Sequence, residues 1–166
     1  METKLEYILT HYKKDYMIEF LDENPEVFDE AIQLIFSDKE PYNWRAAWLL
    51  GNYIKDNDPR MQNQIQNIIN VIIDKKDNHQ RELLKIILKL KLNENQEGHL
   101  FNISLNIWED IDKKSAVRYI AFKLIVKISK KYPSLKNEIA FYTQNRYMET
   151  LSSGIRNSLN RMIKIL

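Results

Sequence analysis

Apolar residues along this chain recur at i, i+3 and i+4 in one segment after another, separated by short polar breaks. That is the period of helices burying one face, not the strict alternation of half-buried strands. Thr3 and Glu6 form a Thr-x-x-Glu capping box ahead of Leu5, Tyr7, Ile8 and Leu9, and a second short helix is predicted over 15–21. Asn24-Pro25 is predicted to start a third helix with Val27, Ala31, Leu34 and Ile35 on one face, closed by 37–41. A helix over 44–54 follows. Asp58-Pro59 repeats the cap-plus-proline start for Ile65, Ile68, Ile69 and Ile72, and Asp77-Asn78 ends that segment. Leu83, Leu84, Ile87, Leu88 and Leu90 mark the next helix. Beyond a Gly98-His99-Leu100 turn, Leu100, Ile103, Leu105, Ile107 and Trp108 mark its successor. Asp112 is expected to cap a helix through Val117, Ile120, Ala121, Leu124, Ile125 and Ile128; Pro133 opens another, and Ser152 or Ser153 the last.

Four of these helices open in the same way. Arg45, Arg81, Arg118 and Arg156 each stand just before an apolar run, at steps of 36, 37 and 38 residues. A period in that range is the signature of a solenoid in which each helix pair buries only one side of itself and needs its neighbour to complete the core. The predicted fold is all-α: an α-α superhelix of about four pairs plus an N-terminal helical cap, one domain over 1–166, with a concave face. An arginine at one place in every unit is expected to form a structural ladder, bonding carbonyls or acids of adjacent turns such as Asp38, Asp77 and Asp112.

The segment Ser37 to Gly51, with Trp44-Arg45-Ala46-Ala47 and Leu50-Gly51, resembles the turn and second helix of HEAT repeats, and Ser115-Ala116-Val117-Arg118 fits the same place. The resemblance implies the solenoid over the last three quarters of the chain. Trp48-Leu49-Leu50-Gly51-Asn52-Tyr53 is one residue short of the tetratricopeptide signature and occurs once. Together with His79-Gln80-Arg81-Glu82, Gly98-His99-Leu100 and Tyr132-Pro133-Ser134-Leu135, these strings resemble a family of small bacterial HEAT-like proteins with no settled activity. Chains of that kind sometimes carry an adenylosuccinate lyase label. The Ser-Ser-x-Met-Pro-x-Lys-x-Asn signature of that superfamily is missing here, since Ser152-Ser153-Gly154-Ile155 has neither the proline nor the lysine.

Composition narrows the chemistry. The 166 residues are 44% hydrophobic and contain no cysteine, which excludes disulfides and thiolate metal sites and suits a reducing compartment, so a cytoplasmic setting is expected. Charged residues interrupt every apolar stretch of the first twenty positions, leaving no signal peptide or membrane span. His11, His79 and His99 lie far apart and in no metal-ligand spacing, and no glycine-rich phosphate loop or nucleophile motif occurs. No cofactor and no metal are expected.

Charge changes the picture more. Residues 113–166 hold 12 Lys or Arg against Glu138 and Glu149, whereas the first 112 hold 13 against 21 carboxylates, so a total of +2 conceals two opposed ends. The expected role is a non-catalytic scaffold, not an enzyme, binding a protein or peptide on the concave face. Trp44, Lys85, Lys89, Tyr119, Lys123, Lys127, Lys130, Arg161 and Lys164 are its candidate contacts. The alternative is nucleic acid held by the basic C-terminal half through counterion release. A catalytic form of that alternative rests on Trp108 and Asp112. Their spacing resembles that of the HEAT-like alkylpurine DNA glycosylases, in which a tryptophan one turn before an aspartate implies cation-π capture of an alkylated base and stabilisation of charge on the sugar. Trp44 and Trp48, at i and i+4, are expected mainly in the core. The apolar end Met162-Ile163-Lys164-Ile165-Leu166 is expected to be covered by a second subunit in a homodimer.

Overall fold

Helices joined by turns and short irregular connections, with no strand, make up residues 1–165, which are those described in the computed structural model. The chain divides into two compact units, the first over Met1–Lys91 and the second from Leu92 onward. The first contains α1 (Lys4–His11), α2 (Lys14–Glu23), α3 (Val27–Phe36), α4 (Tyr42–Tyr53), α5 (Pro59–Gln62), α6 (Ile65–Val71) running into a 3-10 turn at Ile72–Asp74, and α7 (Asp77–Leu88). α3 packs on α4 and α4 on α7, while α1 leans on both α3 and α4. The second unit contains α8 (Glu94–Glu109), α9 (Ser115–Ser129), a 3-10 turn at Pro133–Leu135, α10 (Lys136–Tyr142), α11 (Asn145–Met148) and α12 (Ser153–Ile163). α8 packs on α9, and α12 packs on α9 as well.

Local chemistry explains where these helices begin. The Thr3–Glu6 box forms in both directions, with the Glu6 amide donating to Thr3 Oγ1 at 3.2 Å and the Thr3 amide to Glu6 Oε2 at 2.9 Å. Asp58 accepts from the Arg60 amide at 3.0 Å with Pro59 in the first turn, and Ser152 accepts from Ile155 to start α12. A second capping box, Asn93 with Gln96, starts α8 and was not anticipated. The core is apolar and close. Phe28, Ile35, Leu49, Leu50, Met61, Leu83 and Ile86 have 2% or less of their surface exposed in the first unit, as have Leu100, Trp108, Phe122, Leu124, Ile125 and Leu159 in the second. Each such side chain contributes roughly 1.5–3 kcal/mol on burial.

Several expected boundaries move. Asn24 closes α2 by donating to the Phe20 carbonyl at 2.9 Å, so α3 starts at Val27 without a side-chain cap. The helix expected from Asp58 breaks into α5 and α6, and Asp77 opens α7 where it was expected to end the preceding segment. Gly98-His99-Leu100 is not a turn; it lies inside α8 because the Asn93 box sets the helix start earlier. Asp112 does not cap α9. The cap position is Lys114, with no side-chain hydrogen bond, and Asp112 sits exposed in the preceding turn, its amide bonded to Asp110.

Candidate interaction surface

Two of the three central arginine helices, α7 and α9, are buried on all sides but one narrow seam, and α4, less enclosed, carries a half-buried stripe as well. On α4 the half-buried seam carries Trp44, Trp48 and Asn52, and the Asn52 amide donates to the Trp48 carbonyl at 2.7 Å. The two tryptophans are therefore neither core nor free rings: the Arg45 guanidinium lies 5.4 Å from the centre of Trp44. On α7 the seam is Asn78, Arg81, Lys85, Leu88 and Lys89, all half-buried. On α9 and its C-terminal cap it is Ala116, Tyr119, Lys123, Lys127 and Lys130, spaced by threes and fours so that they line one stripe.

The α7 seam is engaged from within, its cations held by one buried carboxylate and one carbonyl. Glu82, with no exposed surface, receives Arg81 at 2.7 Å and Lys85 at 3.0 Å, and Lys89 donates to the Ile54 carbonyl at 3.0 Å. Lys85 and Lys89, expected to face a groove, are thus committed within their own unit. On α9 no carboxylate takes that position. Lys123 lies 5.4 Å from the centre of the Tyr119 ring, and Lys130 is exposed with no ion pair among the described residues. Beyond the helix end, Lys131 and Tyr132 both bond Glu97 of α8, the tyrosine at 2.7 Å. Burial pushes the Glu97 carboxyl up, but these two hydrogen bonds outweigh it and hold the group below the usual carboxylate value. The bond to Glu97 in turn raises the Tyr132 phenol. On α12, Arg161 is exposed and its guanidinium donates to Ser158 at 3.3 Å, while Lys164 is an exposed C-terminal cap residue.

The four arginines form no uniform ladder. Arg45 donates to the Leu9 carbonyl, Arg81 meets Glu82 on its own helix, and Arg118 is enclosed without exposed surface. Arg118 donates to the carbonyls of Trp108 at 3.0 Å and Tyr147 at 2.6 Å and to Thr150 Oγ1 at 2.8 Å, tying α8 and the α11 segment to α9. Burial draws its guanidinium below the ordinary value, with Asp110 acting in the opposite sense. Arg156 is exposed and its side chain makes no hydrogen bond or ion pair among the described residues. Asp38, an expected ladder partner, pairs with Lys75 at 2.9 Å, which lowers its carboxyl.

The base-excision constellation does not form. Trp108 has no exposed surface; its ring packs 4.6 Å from Phe122 and its Nε1 donates to the Tyr142 carbonyl at 2.8 Å, so no base can stack on it. A tryptophan four residues before an aspartate reads as a site only if both face solvent, and here the pair straddles a helix end. Sequence reasoning also missed Glu82 as the neutraliser of α7, although its placement beside Arg81 and three residues before Lys85 was a readable signal. Of the apolar C-terminal end, Ile165 is 70% exposed, and Leu166 lies outside the described residues. No described helix is long and apolar enough to cross a membrane, and no described cluster of three or more His, Asp or Glu is placed to hold a metal.

Packing of successive helices on one another, with an arginine recurring near the start of α4, α7, α9 and α12, defines an α-helical repeat protein of the solenoid class. The chain matches the HEAT repeat domain model over residues 1–166 and belongs to that family. No curated protein and no solved structure matches it.

Proposed function

We propose that the protein is a non-catalytic interaction module that holds an acidic peptide segment of a partner protein along the α9 seam. The observation that carries this reading is the seam itself: Tyr119 and Lys123 of α9, with Lys130 at its C-terminal cap, meet solvent from a mostly buried helix, Lys127 between them lies in the field of Glu97, and no carboxylate stands at the position that Glu82 fills on α7. A tyrosine between cations supplies apolar contact area at small entropy cost, while the lysines supply charge complementarity and speed of encounter. The C-terminal excess of positive charge, to which Arg161 and Lys164 add, acts in the same direction. HEAT repeats serve as protein-binding scaffolds, so a polypeptide partner is the reading the family favours; a cytoplasmic setting belongs to it. The same excess of charge supports a second reading, a nucleic-acid backbone on these lysines.

Fluorescence anisotropy with a labelled glutamate- and leucine-rich peptide and with labelled duplex DNA, over a salt series from about 50 to 200 mM, separates the two. Preferential peptide binding that Lys123→Glu/Lys127→Glu abolishes is the expected result. Tighter binding to DNA, falling steeply with salt, would transfer the seam to the second reading. Binding to neither at low salt would remove both.

A further inference from the structure

Arg156 occupies the repeat position of Arg45, Arg81 and Arg118, yet it is the member of the series that the fold does not use. It lies in the first turns of α12 and opens onto a cavity of about 440 Å³ whose lining also includes Thr143, Asn145, Met148, Glu149 and Asn160. That volume is within the range of small-molecule sites, about 300–1,000 Å³. Asn160 stands one helical turn after Arg156, on the same face of α12, and Asn145 and Glu149 bracket α11. Thr143 Oγ1 already donates to the Ala140 carbonyl at 2.9 Å, so towards the cavity it offers an acceptor. Met148, 7% exposed, supplies an apolar surface.

The charges are the informative part. Arg156 and Glu149 line one cavity, both are exposed, and among the described residues neither forms an ion pair, with the other or with any third group. A cavity lined by an unpaired cation and an unpaired anion offers a partner to each charge of a ligand that carries both. The guanidinium fork matches a carboxylate, Glu149 matches an ammonium group, and the two asparagine amides serve the remaining lone pairs and protons.

We propose that this cavity binds the zwitterionic head group of a free α-amino acid, with carboxylate on Arg156, ammonium on Glu149 and side chain against Met148. This stands independently of the α9 seam. The test is an amide NMR titration of the full chain with three matched probes: L-leucine, N-acetyl-L-leucine with its amine blocked, and L-leucinamide with its carboxylate blocked. Leucine is expected to shift the amides of Asn145, Glu149, Arg156 and Asn160 saturably, with half-saturation at or below about 10 mM, and each blocked probe to bind at least about tenfold more weakly. Arg156→Gln and Glu149→Gln should each abolish the leucine shifts without changing the melting temperature, because both side chains are exposed and unpaired. Lys123→Glu/Lys127→Glu should leave them intact, so failure of the acidic-peptide reading and failure of this one are separately visible. Equal binding of N-acetyl-leucine would overturn the proposal in favour of a simple anion or a peptide C-terminus, equal binding of leucinamide in favour of an amine, and saturation by none of the three would overturn it outright.

Discussion

Arg81 of α7 and Arg118 of α9 hold the same position in consecutive repeats, and the residue that follows each decides what its helix can do. After Arg81 comes Glu82, which folds beneath the seam and gathers Arg81 and Lys85, so that the basic stripe is partly neutralised from within. After Arg118 comes Tyr119; with no acid beside it the arginine turns inward to two carbonyls and a hydroxyl, and Lys123 and Lys130 are left to solvent. The same period therefore builds a self-contained helix in one unit and an outward-facing cationic one in the other. The repeat dictates the packing, and a single carboxylate dictates the availability of charge.

The sharpest way to break this comparison is to remove each arginine in turn. Arg118→Met should cost about 3 kcal/mol, because the Trp108 and Tyr147 carbonyls lose their donor in a site with no exposed surface. Arg81→Met should cost no more than about 1 kcal/mol, since its guanidinium is 30% exposed and Lys85 still holds Glu82. Urea unfolding of the two variants measures both, and equal losses would mean that the inward turn of Arg118 has no special weight.

A second difference lies two residues before each arginine, where α7 has buried His79 and α9 has half-buried Ala116. Burial, helped by Lys75, depresses the His79 imidazole from 6.5 to about 4, against the opposing influence of the Ile35 backbone, Glu40 and Asp38. The folded state thus binds this proton less readily than the unfolded chain. Its stabilising contribution is complete above pH 6.5 and is lost as pH falls from there towards 4, by about 3 kcal/mol over the whole window. His79→Asn, which keeps a donor and cannot titrate, should flatten the pH dependence of the urea midpoint between about 6.5 and 4.5. An unchanged slope would place the acid sensitivity elsewhere.

Most of the fold was legible in the sequence, because helix periodicity, the Thr3 and Asp58 caps and the arginine spacing are local or strictly repeated signals. Boundaries failed where two local signals competed, as at Asn24, which closes one helix rather than opening the next, and at Gly98, which tolerates a helix interior that its composition argues against. The surface was much less legible. Lys85, Lys89 and Lys123 look alike in sequence, and only the placement of Glu82 and of the Ile54 carbonyl separates two engaged lysines from an available one. Trp108 failed as a site residue for a related reason: spacing along a helix fixes a direction, but the neighbours Phe122 and Tyr142 decide whether that direction is solvent or core.

Glu82→Gln should unmask α7. Removing the buried carboxylate leaves Arg81 and Lys85, each still in reach of water, at a cost of about 1–2 kcal/mol, smaller than for a fully enclosed pair. The acidic peptide should then gain affinity, since a second cationic seam becomes available; no gain would show that seam charge alone does not recruit it.

The converse change is the gentlest and the most discriminating. Tyr119→Glu places on α9 the carboxylate that α7 already has, four residues before Lys123, the favourable order for a helical ion pair. Position 119 is half-buried at the edge of the seam, so stability should change by no more than about 0.5 kcal/mol, as for surface substitutions generally. Affinity for the acidic peptide should nevertheless fall by about tenfold or more, from the loss of the aromatic contact and the neutralisation of Lys123 together. Tyr119→Gln separates the two causes: if it weakens binding as much as the glutamate does, the ring carries the interaction, and if it leaves binding near the wild-type value, the absence of a carboxylate is what makes α9 the working seam.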